Sequence, residues 1–166
     1  MVAFTYRMPA GIPGDVNRSA VGMTIEAQNV TPFGTTGAPA AFGVPMVIDG
    51  TSFNMRVLTS GDTSVYGLLV REFPQGGSQD GLGTSTPPAS GPVSILKRGY
   101  MTVLLSGTQA ATKGGPVYVW TAAPSGAHIT GGWEAANPSG SGFAVTGAYF
   151  MGPADANGNV EIAFNI

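Results

Sequence analysis

Residues 97–121 read KRGYMTVLLSGTQAATKGGPVYVWT, and they are the most informative stretch about the fold. Two apolar runs, at 100–105 and 117–121, are rich in the β-branched and aromatic residues that favour strands. A lysine beside two glycines also suggests a phosphate-binding loop. That loop needs Gly, four residues, Gly, Lys and then Ser or Thr before a helix. Here Lys113 precedes the glycines and Pro116 leads into the second run, so we predict two strands joined by a glycine turn.

The same strand character continues on both sides of this stretch. In residues 52–58 the apolar side chains alternate with polar ones, as in a strand with one wet face, and residues 160–165 repeat the pattern. Further strands are predicted at 24–29, 44–48, 65–73, 93–97 and 143–146, with a shorter one at 149–151. Helical periodicity is almost absent, and short strands with turns between them are typical of sandwiches and barrels. We therefore predict an all-β, jelly-roll-like sandwich or barrel with under about a tenth of its residues in helix.

The alternation also predicts which side chains form the core. The predicted core residues are Phe53, Met55, Val57, Leu68, Val70, Val103, Leu105, Val117, Val119, Ile162 and Phe164.

Two segments depart from the strand pattern. Residues 1–18 contain Pro9 and Pro13 with two glycines and no alternation, which predicts an extended N-terminal arm. Residues 74–92 form a long polar connection rich in Gly, Ser and Pro, which is typical of an exposed binding loop. We therefore expect an arm over 1–18 and one β domain over 19–166 that carries the loop at 74–92.

The amino-acid composition argues against several classes of function. Charged residues make up 10% of the 166 residues and the net charge is −2, so no broad basic field is present to bind nucleic acid or an anionic membrane. No apolar run approaches the ~18 residues of a membrane-spanning helix. The absence of cysteine excludes thiolate catalysis and cysteine-bound metals. A surface so poor in charge presents little repulsion to a partner, which favours a component of an assembly.

The residues offer no catalytic, metal-binding or cofactor-binding site. The one histidine, His128, lies in a turn-rich region where we expect it to be exposed, and no Gly-x-Ser-x-Gly sequence supplies a nucleophile. The ending DANGNVEIAFNI begins like a calcium loop, but Val160 stands where glycine is required and Ile166 where glutamate is required. Its Asn157–Gly158 pair predicts a hairpin turn instead. Nothing brings two carboxylates together as a glycosidase requires, so no enzyme and no cofactor are expected.

Several long stretches resemble a known family of proteins. AFTYRMPAGIPGDVNR at 3–18, SGDTSVYGLLVREFP at 60–74, RGYMTVLL with ATKGGPVYV at 98–119, and FMGPADANGNVEIAFNI at 150–166 are similar, in this order, to the structural cement proteins of tailed bacteriophages. The resemblance weakens at 29–41 and 126–142. It implies a jelly-roll-like fold and a capsid decoration protein, made in the host cytoplasm, on the outer capsid surface of the virion. It further implies binding across neighbouring subunits of the major capsid protein, self-association with a dimer favoured over a trimer, and no catalytic residue.

The arm is the predicted docking element. Its apolar side chains can act as anchors, its arginines can pair with carboxylates of a partner, and its prolines reduce the entropy lost on binding. The predicted docking residues are Phe4, Tyr6, Arg7, Met8, Ile12 and Arg18.

An alternative of a different class is a carbohydrate- or receptor-binding β-domain of a phage fibre. That function requires exposed aromatic rings beside a groove, for which Trp120 and Trp133 are the candidates. In a small β-fold most such aromatic residues belong to the core.

Overall fold

The computed structural model describes residues 11–18, 21–30, 39–71, 86–87 and 91–166. Within these ranges there are ten strands and no helix, so the all-β prediction is confirmed and no helix there could span a membrane. The strands are β1 (Val16–Arg18), β2 (Thr24–Val30), β3 (Pro45–Ile48), β4 (Met55–Val57), β5 (Gly67–Leu69), β6 (Gly91–Leu104), β7 (Pro116–Trp120), β8 (Trp133–Glu134), β9 (Gly142–Phe150) and β10 (Asn159–Phe164).

Strand β6 joins the two halves of the molecule. Its first half pairs with β2 and β5, and its second half pairs with β1 and β10. The sequence predicted two strands here, at 93–97 and 100–105, whereas the structure has one strand of 14 residues. Gly99 lies between the two predicted strands with φ +149, a conformation that favours glycine. The strand therefore continues through the residue that the sequence pattern marked as a break.

The first half is a small closed barrel. The strand order β2-β4-β3-β5-β6 returns to its start because β2 also pairs with β6, and closure leaves no open edge in this ring. The β2–β4 pair is parallel and the other pairs in the ring are antiparallel. The barrel interior is apolar and contains Val30, Phe42, Met46, Met55, Leu69, Val93 and Ile95.

The second half extends from β6 through β10, β9 and β7 to β8. Its larger core receives alternate side chains from these strands, because successive residues of a strand face opposite sides. Val160 and Ile162 of β10 are fully buried there, and Phe164 is buried beside them. The described residues thus form two apolar clusters, and β6 contributes Ile95 to the first and Met101 to the second.

Most of the predicted core is confirmed. The buried members are Met55, Leu68, Val70, Val103, Val117, Val119, Ile162 and Phe164. Val57 and Leu105 are half-buried. Phe53 was predicted wrongly, because it is 76% exposed. β4 begins only at Met55, and Phe53 lies in the preceding turn with φ +59, so the alternation of the strand does not reach it.

Replacing Phe53 by Gly provides a test of this placement. A bulky residue at positive φ is strained by about 1–3 kcal/mol, and glycine removes that strain at some cost in the entropy of the unfolded chain. We expect the free energy of unfolding to stay equal or to rise by about 1 kcal/mol in urea denaturation. A buried Phe53 would instead give a loss of several kcal/mol, and that result would contradict the structure.

Candidate docking surface

The predicted docking residues fall into two groups. Phe4, Tyr6, Arg7 and Met8 lie outside the described residues. Ile12 and Arg18 are described, and the segment 11–18 that contains them lies against the chain's own sheet, where β1 pairs with β6. The docking role of all six residues, and the domain boundary at residue 18, stay predictions.

Gly14 fixes this segment to the body of the protein. Its amide donates to the Thr102 carbonyl at 2.9 Å, and its own carbonyl accepts from the Arg71 amide at 2.8 Å. Gly14 has φ +91, and a Cβ here would lie 2.5 Å from the Cβ of Phe42. Only glycine permits this close approach. The chain that follows residues 1–10 is therefore firmly bound, at Gly14, to the body of the protein.

Arg18 already has a carboxylate partner within its own chain. Its Nε donates to Glu161 Oε1 at 2.9 Å, a second nitrogen also bonds that carboxylate, and the hydrogen bonds raise the pKa of Arg18 above its ordinary value. The guanidinium lies over the Tyr100 ring at 4.6 Å. The side chain is nevertheless half exposed, so one side of it still faces outward.

An apolar groove of about 260 Å³ lies where the two halves of the molecule meet. Its lining includes Phe42 from the barrel and Trp133 from the second half, with the more exposed Leu104 and Ile129. The indole Nε1 of Trp133 donates to the Gly43 carbonyl at 2.7 Å and joins the two halves. Leu104 and Ile129 are 47% and 51% exposed, which is unusual for large apolar side chains that share one depression.

Among the described residues that line the groove, Arg71 carries a charged side chain. Its guanidinium lies over the Phe42 ring at 4.7 Å, and its Nε donates to the Pro13 carbonyl at 3.2 Å. Because Arg71 is itself buried, the groove presents a mainly apolar surface.

A second exposed apolar feature is the turn between β3 and β4, which we call the Phe53 turn (residues 49–54). Asp49 Oδ1 accepts from the amides of Thr51 and Ser52 at 3.0 and 2.7 Å. The Phe53 amide donates to the Asp49 carbonyl at 2.9 Å. These bonds hold the backbone of the turn while the phenyl ring of Phe53 points into solvent.

An ion cluster braces the base of the Phe53 turn. Arg56 pairs with Asp62 through two nitrogens at 2.7 and 2.9 Å, and its Nε lies 3.6 Å from Asp49. The hydrogen bonds from Arg56 are the main cause that lowers the pKa of Asp62, and bonds from the Thr59 amide and hydroxyl add to it. The three charges sum to −1, so the turn is slightly acidic.

Replacing Asp62 by Asn should destabilise the protein in a pH-dependent way. The folded pKa of Asp62 is lower than its unfolded pKa of about 3.9, so the carboxylate stabilises the fold above that pH and loses its effect as the pH falls through the folded value. We expect the free energy of unfolding of the Asp62→Asn variant to be about 1–2 kcal/mol lower than that of the wild type at pH 7. The difference from wild type should shrink below about pH 4. A difference that stays constant down to pH 3 would exclude this role of the ionised carboxylate.

The aromatic candidates for a sugar-binding platform are engaged within the chain. Trp133 is buried, contrary to the exposure that the carbohydrate-binding alternative requires. Trp120 stacks on the His128 ring with centroids 4.3 Å apart. His128 is half-buried and not the exposed loop residue that we expected, and its Nδ1 lies 2.9 Å from the buried carboxylate of Glu134. The sequence carries no signal for this contact, because Glu134 has the pattern of an ordinary strand residue.

This cluster does not have the geometry of a hydrolase site. The Ser106 hydroxyl donates to the same Glu134 oxygen as His128 approaches, at 2.9 Å, and not to the imidazole. A nucleophilic serine needs the imidazole as its base. Ser106 therefore belongs to a structural network.

The two glycine turns singled out in the sequence have the predicted architecture. The amide of Gly114 donates to the Phe150 carbonyl at 2.7 Å, and β7 begins just beyond the turn. Asp155 Oδ1 accepts from the amides of Asn157 and Asn159 at 2.8 and 2.9 Å, so its carboxylate closes the hairpin turn. No group of three or more potential metal ligands occurs among the described residues.

Comparison with known proteins identifies the family. A solved chain from "The capsid of Myoviridae Phage XM1" has the same fold, with a TM-score of 0.66 at 17% identity over 98% of this chain and 95% of that chain. No curated protein matches. The family model described as XM1 gp53 minor capsid protein matches residues 1–164. The resemblance to a phage capsid structural protein is thus confirmed, with a location in the virion capsid. The chain belongs to the XM1 gp53 minor capsid protein family.

Proposed function

We propose that this protein is a cement, or decoration, protein of the phage head. It binds the outer surface of the assembled shell, bridges neighbouring subunits of the major capsid protein, and stabilises the shell. Its role is structural and not enzymatic. It also associates with itself, as a dimer.

The proposal rests mainly on one observation. This member of a minor capsid protein family exposes large apolar side chains on the surface of its β fold. The groove and the Phe53 turn expose Leu104, Ile129 and Phe53, while Arg18, Arg56 and their carboxylate partners are paired within the chain. Such a surface favours contact with a protein partner over contact with nucleic acid or a charged substrate.

The mechanism of stabilisation is linkage. A protein that binds the assembled shell, but not its separated subunits, shifts the equilibrium toward the shell. Each contact needs to contribute only a few kcal/mol, because hundreds of bridged junctions act together on one head. Residues 1–10, attached through Gly14 to the body, supply the arm that reaches the neighbouring subunit.

Electron microscopy of undecorated heads mixed with the purified protein tests the proposal. We expect added density on the outer surface, above the junctions between major capsid subunits. Density confined to the interior of the shell, or centred on single subunits, would contradict a bridging role.

A further inference from the structure

We propose that the two halves of this protein are copies of one five-stranded unit, and that Phe53, which stands where the other copy has glycine, is an anchor residue that contacts the shell. The first part rests on the fold alone. The second part rests on the proposed function, because it names a side chain of this protein that touches a major capsid subunit.

The second half closes into a ring in the same way as the barrel. Leu105, just beyond β6, forms a parallel bridge with Trp133 of β8, and the Ser106 amide donates to the Trp133 carbonyl at 2.7 Å. The ring of the second half therefore runs β6-β8-β7-β9-β10 and returns to β6, while the barrel runs β2-β4-β3-β5-β6 and returns to β2. Counted in chain order, each ring joins its first strand to its third, the third to the second, the second to the fourth and the fourth to the fifth.

The strand directions of the two rings agree as well. Among the described residues, the first and third strands of each ring are parallel, and the remaining neighbours are antiparallel. β6 is the fifth strand of the first ring and the first strand of the second, and its length of 14 residues lets it serve both. Two rings of one topology are thus fused through a shared strand.

The two rings also have the same register. The pairs that trace the first ring are Val30–Met55, Met55–Ile48, Pro45–Leu68, Leu69–Ile95 and Ile95–Glu26. The pairs that trace the second ring, in the same order, are Leu105–Trp133, Trp133–Val119, Pro116–Tyr149, Phe150–Ile162 and Ile162–Met101. Within every strand the same number of residues separates the traced positions, so the two circuits correspond residue by residue. β9 is longer than β5 and bulges against β7 beyond Pro116, which leaves these pairs unchanged.

Backbone hydrogen bonds beside the strands recur between the same positions. From amide to carbonyl, the bonds of the first unit are Gly43–Leu69 (2.9 Å), Leu69–Val44 (3.0 Å) and Val70–Ser94 (2.9 Å). The corresponding bonds of the second unit are Gly114–Phe150 (2.7 Å), Phe150–Gly115 (3.0 Å) and Met151–Glu161 (2.9 Å).

Some equivalent positions also carry the same residue. The identical pairs include Gly43 and Gly114, Pro45 and Pro116, Gly91 and Gly158, Val93 and Val160, and Ile95 and Ile162. The glycines have positive φ in both units, +75 and +76 for the first pair and +101 and +83 for the second, a conformation that favours glycine. One unit used twice accounts for the shared strand order, register and glycine positions. The sequence spacing between equivalent residues differs from strand to strand, which hides the repeat from a search for a fixed period.

The connection between the second and third strands is where the two copies differ. It is the Phe53 turn in the first unit and residues 120–132 in the second. The Phe53 amide donates to the Asp49 carbonyl at 2.9 Å, and at the equivalent place the Gly131 amide donates to the Trp120 carbonyl at 2.7 Å. Phe53 and Gly131 therefore hold the same position, with φ +59 and +77.

The phenyl ring of Phe53 is not required by the fold. This backbone conformation favours glycine, so a phenylalanine here is strained, and with 76% of it exposed the packing inside the chain does little to offset that strain. Asp49 and the ion pair of Arg56 with Asp62 hold the turn, so the ring is presented in a fixed position. A rigid aromatic side chain loses little entropy on binding, which is the property of an interface anchor. The partner that it fits is a protein surface with an apolar pocket for one phenyl ring, which under the proposed function belongs to the major capsid protein.

Phe53→Gly tests the anchor in the full-length protein, because it gives the first unit the residue of the second. We expect the midpoint of urea unfolding to stay equal or to rise, since the strain is removed. The affinity for undecorated heads, measured by co-sedimentation, should fall by roughly thirtyfold or more, as for an interface hot spot. Val21→Ala removes apolar surface at a residue that is 99% exposed elsewhere on the protein, and it should change neither quantity.

Gly131→Ala tests whether the two positions are equivalent. A Cβ at Gly131 would meet no described atom within 4 Å, so only the positive φ opposes a side chain there. We expect this variant to lower the midpoint of urea unfolding, whereas Phe53→Gly does not. A midpoint that Phe53→Gly lowers, or that Gly131→Ala leaves unchanged, would overturn the shared conformation.

Head binding separates the anchor from the proposed function. Wild-type protein that does not bind undecorated heads would refute the proposed function and the anchor together. Wild-type protein that binds, with Phe53→Gly binding equally tightly, would refute the anchor alone.

Discussion

Replacing Trp133 by Ala is expected to lower the free energy of unfolding by about 3–5 kcal/mol, measured by urea denaturation. Its ring is 2% exposed and belongs to the larger core, and its indole donates to the Gly43 carbonyl on the barrel side. The substitution removes both the packing and the link between the two halves. A domain of this size has a total stability of about 5–15 kcal/mol, so the loss is a large fraction of it.

Two further variants separate the parts of this effect. Trp133→Phe keeps an aromatic ring but leaves the Gly43 carbonyl without its indole donor, so we expect an intermediate loss of about 1–3 kcal/mol. Trp120→Ala should cost less than Trp133→Ala, because Trp120 is half-buried and packs on His128. If Trp133→Ala cost less than about 1 kcal/mol, Trp133 would not join the two halves.

Deletion of residues 1–10 should remove most of the binding to undecorated heads while the folded domain stays intact. The deletion ends before Gly14, whose backbone bonds to Thr102 and Arg71 remain in place. We expect an unchanged melting transition and a loss of head affinity of about a hundredfold or more, the equivalent of one strong anchor. Binding measured by co-sedimentation with heads provides the comparison.

Deletion of residues 1–14 is the matched control, because it removes four more residues that pack on the chain's own sheet. This longer deletion should also lower the melting temperature, since it breaks the two backbone bonds of Gly14 and the bond from Arg71 to the Pro13 carbonyl. If the protein without residues 1–10 decorates heads at full affinity, the arm is not the docking element. If that protein unfolds, the segment belongs to its own core.

The fold class could be predicted because one physical pattern dominates the sequence. Alternation correctly predicts the core side chains Val160, Ile162 and Phe164 of β10, although the structure also buries the intervening Glu161 and Ala163 on the other face of that strand. The core prediction from alternation failed in the turn before β4, where the alternation of apolar and polar residues happens to continue. Phe53 stands in phase with Met55, but it adopts a positive φ that bulky residues rarely take, and sequence periodicity contains no information about φ.

The groove could not be predicted from the sequence either, and the reason differs from the one that applies to Phe53. Its lining comes from segments far apart along the chain, near residues 13, 42, 71, 104 and 131, and each segment looks like ordinary core or turn. Closure of the barrel and the continuous strand β6 bring these segments together. That geometry is a property of long-range pairing, which local periodicity does not determine. The capsid role, in contrast, was accessible because long stretches resemble a known family.

The resistance of filled heads to heat tests the cement function most directly. Undecorated heads are divided into two samples, one is saturated with the purified protein, and the temperature at which the genome is released is recorded for both. Because binding selectively favours the intact shell, the decorated heads should release their genome at a higher temperature, and the shift should grow with occupancy until the sites are full. Equal release temperatures for bare heads and for heads shown by microscopy to be saturated would contradict the proposed function.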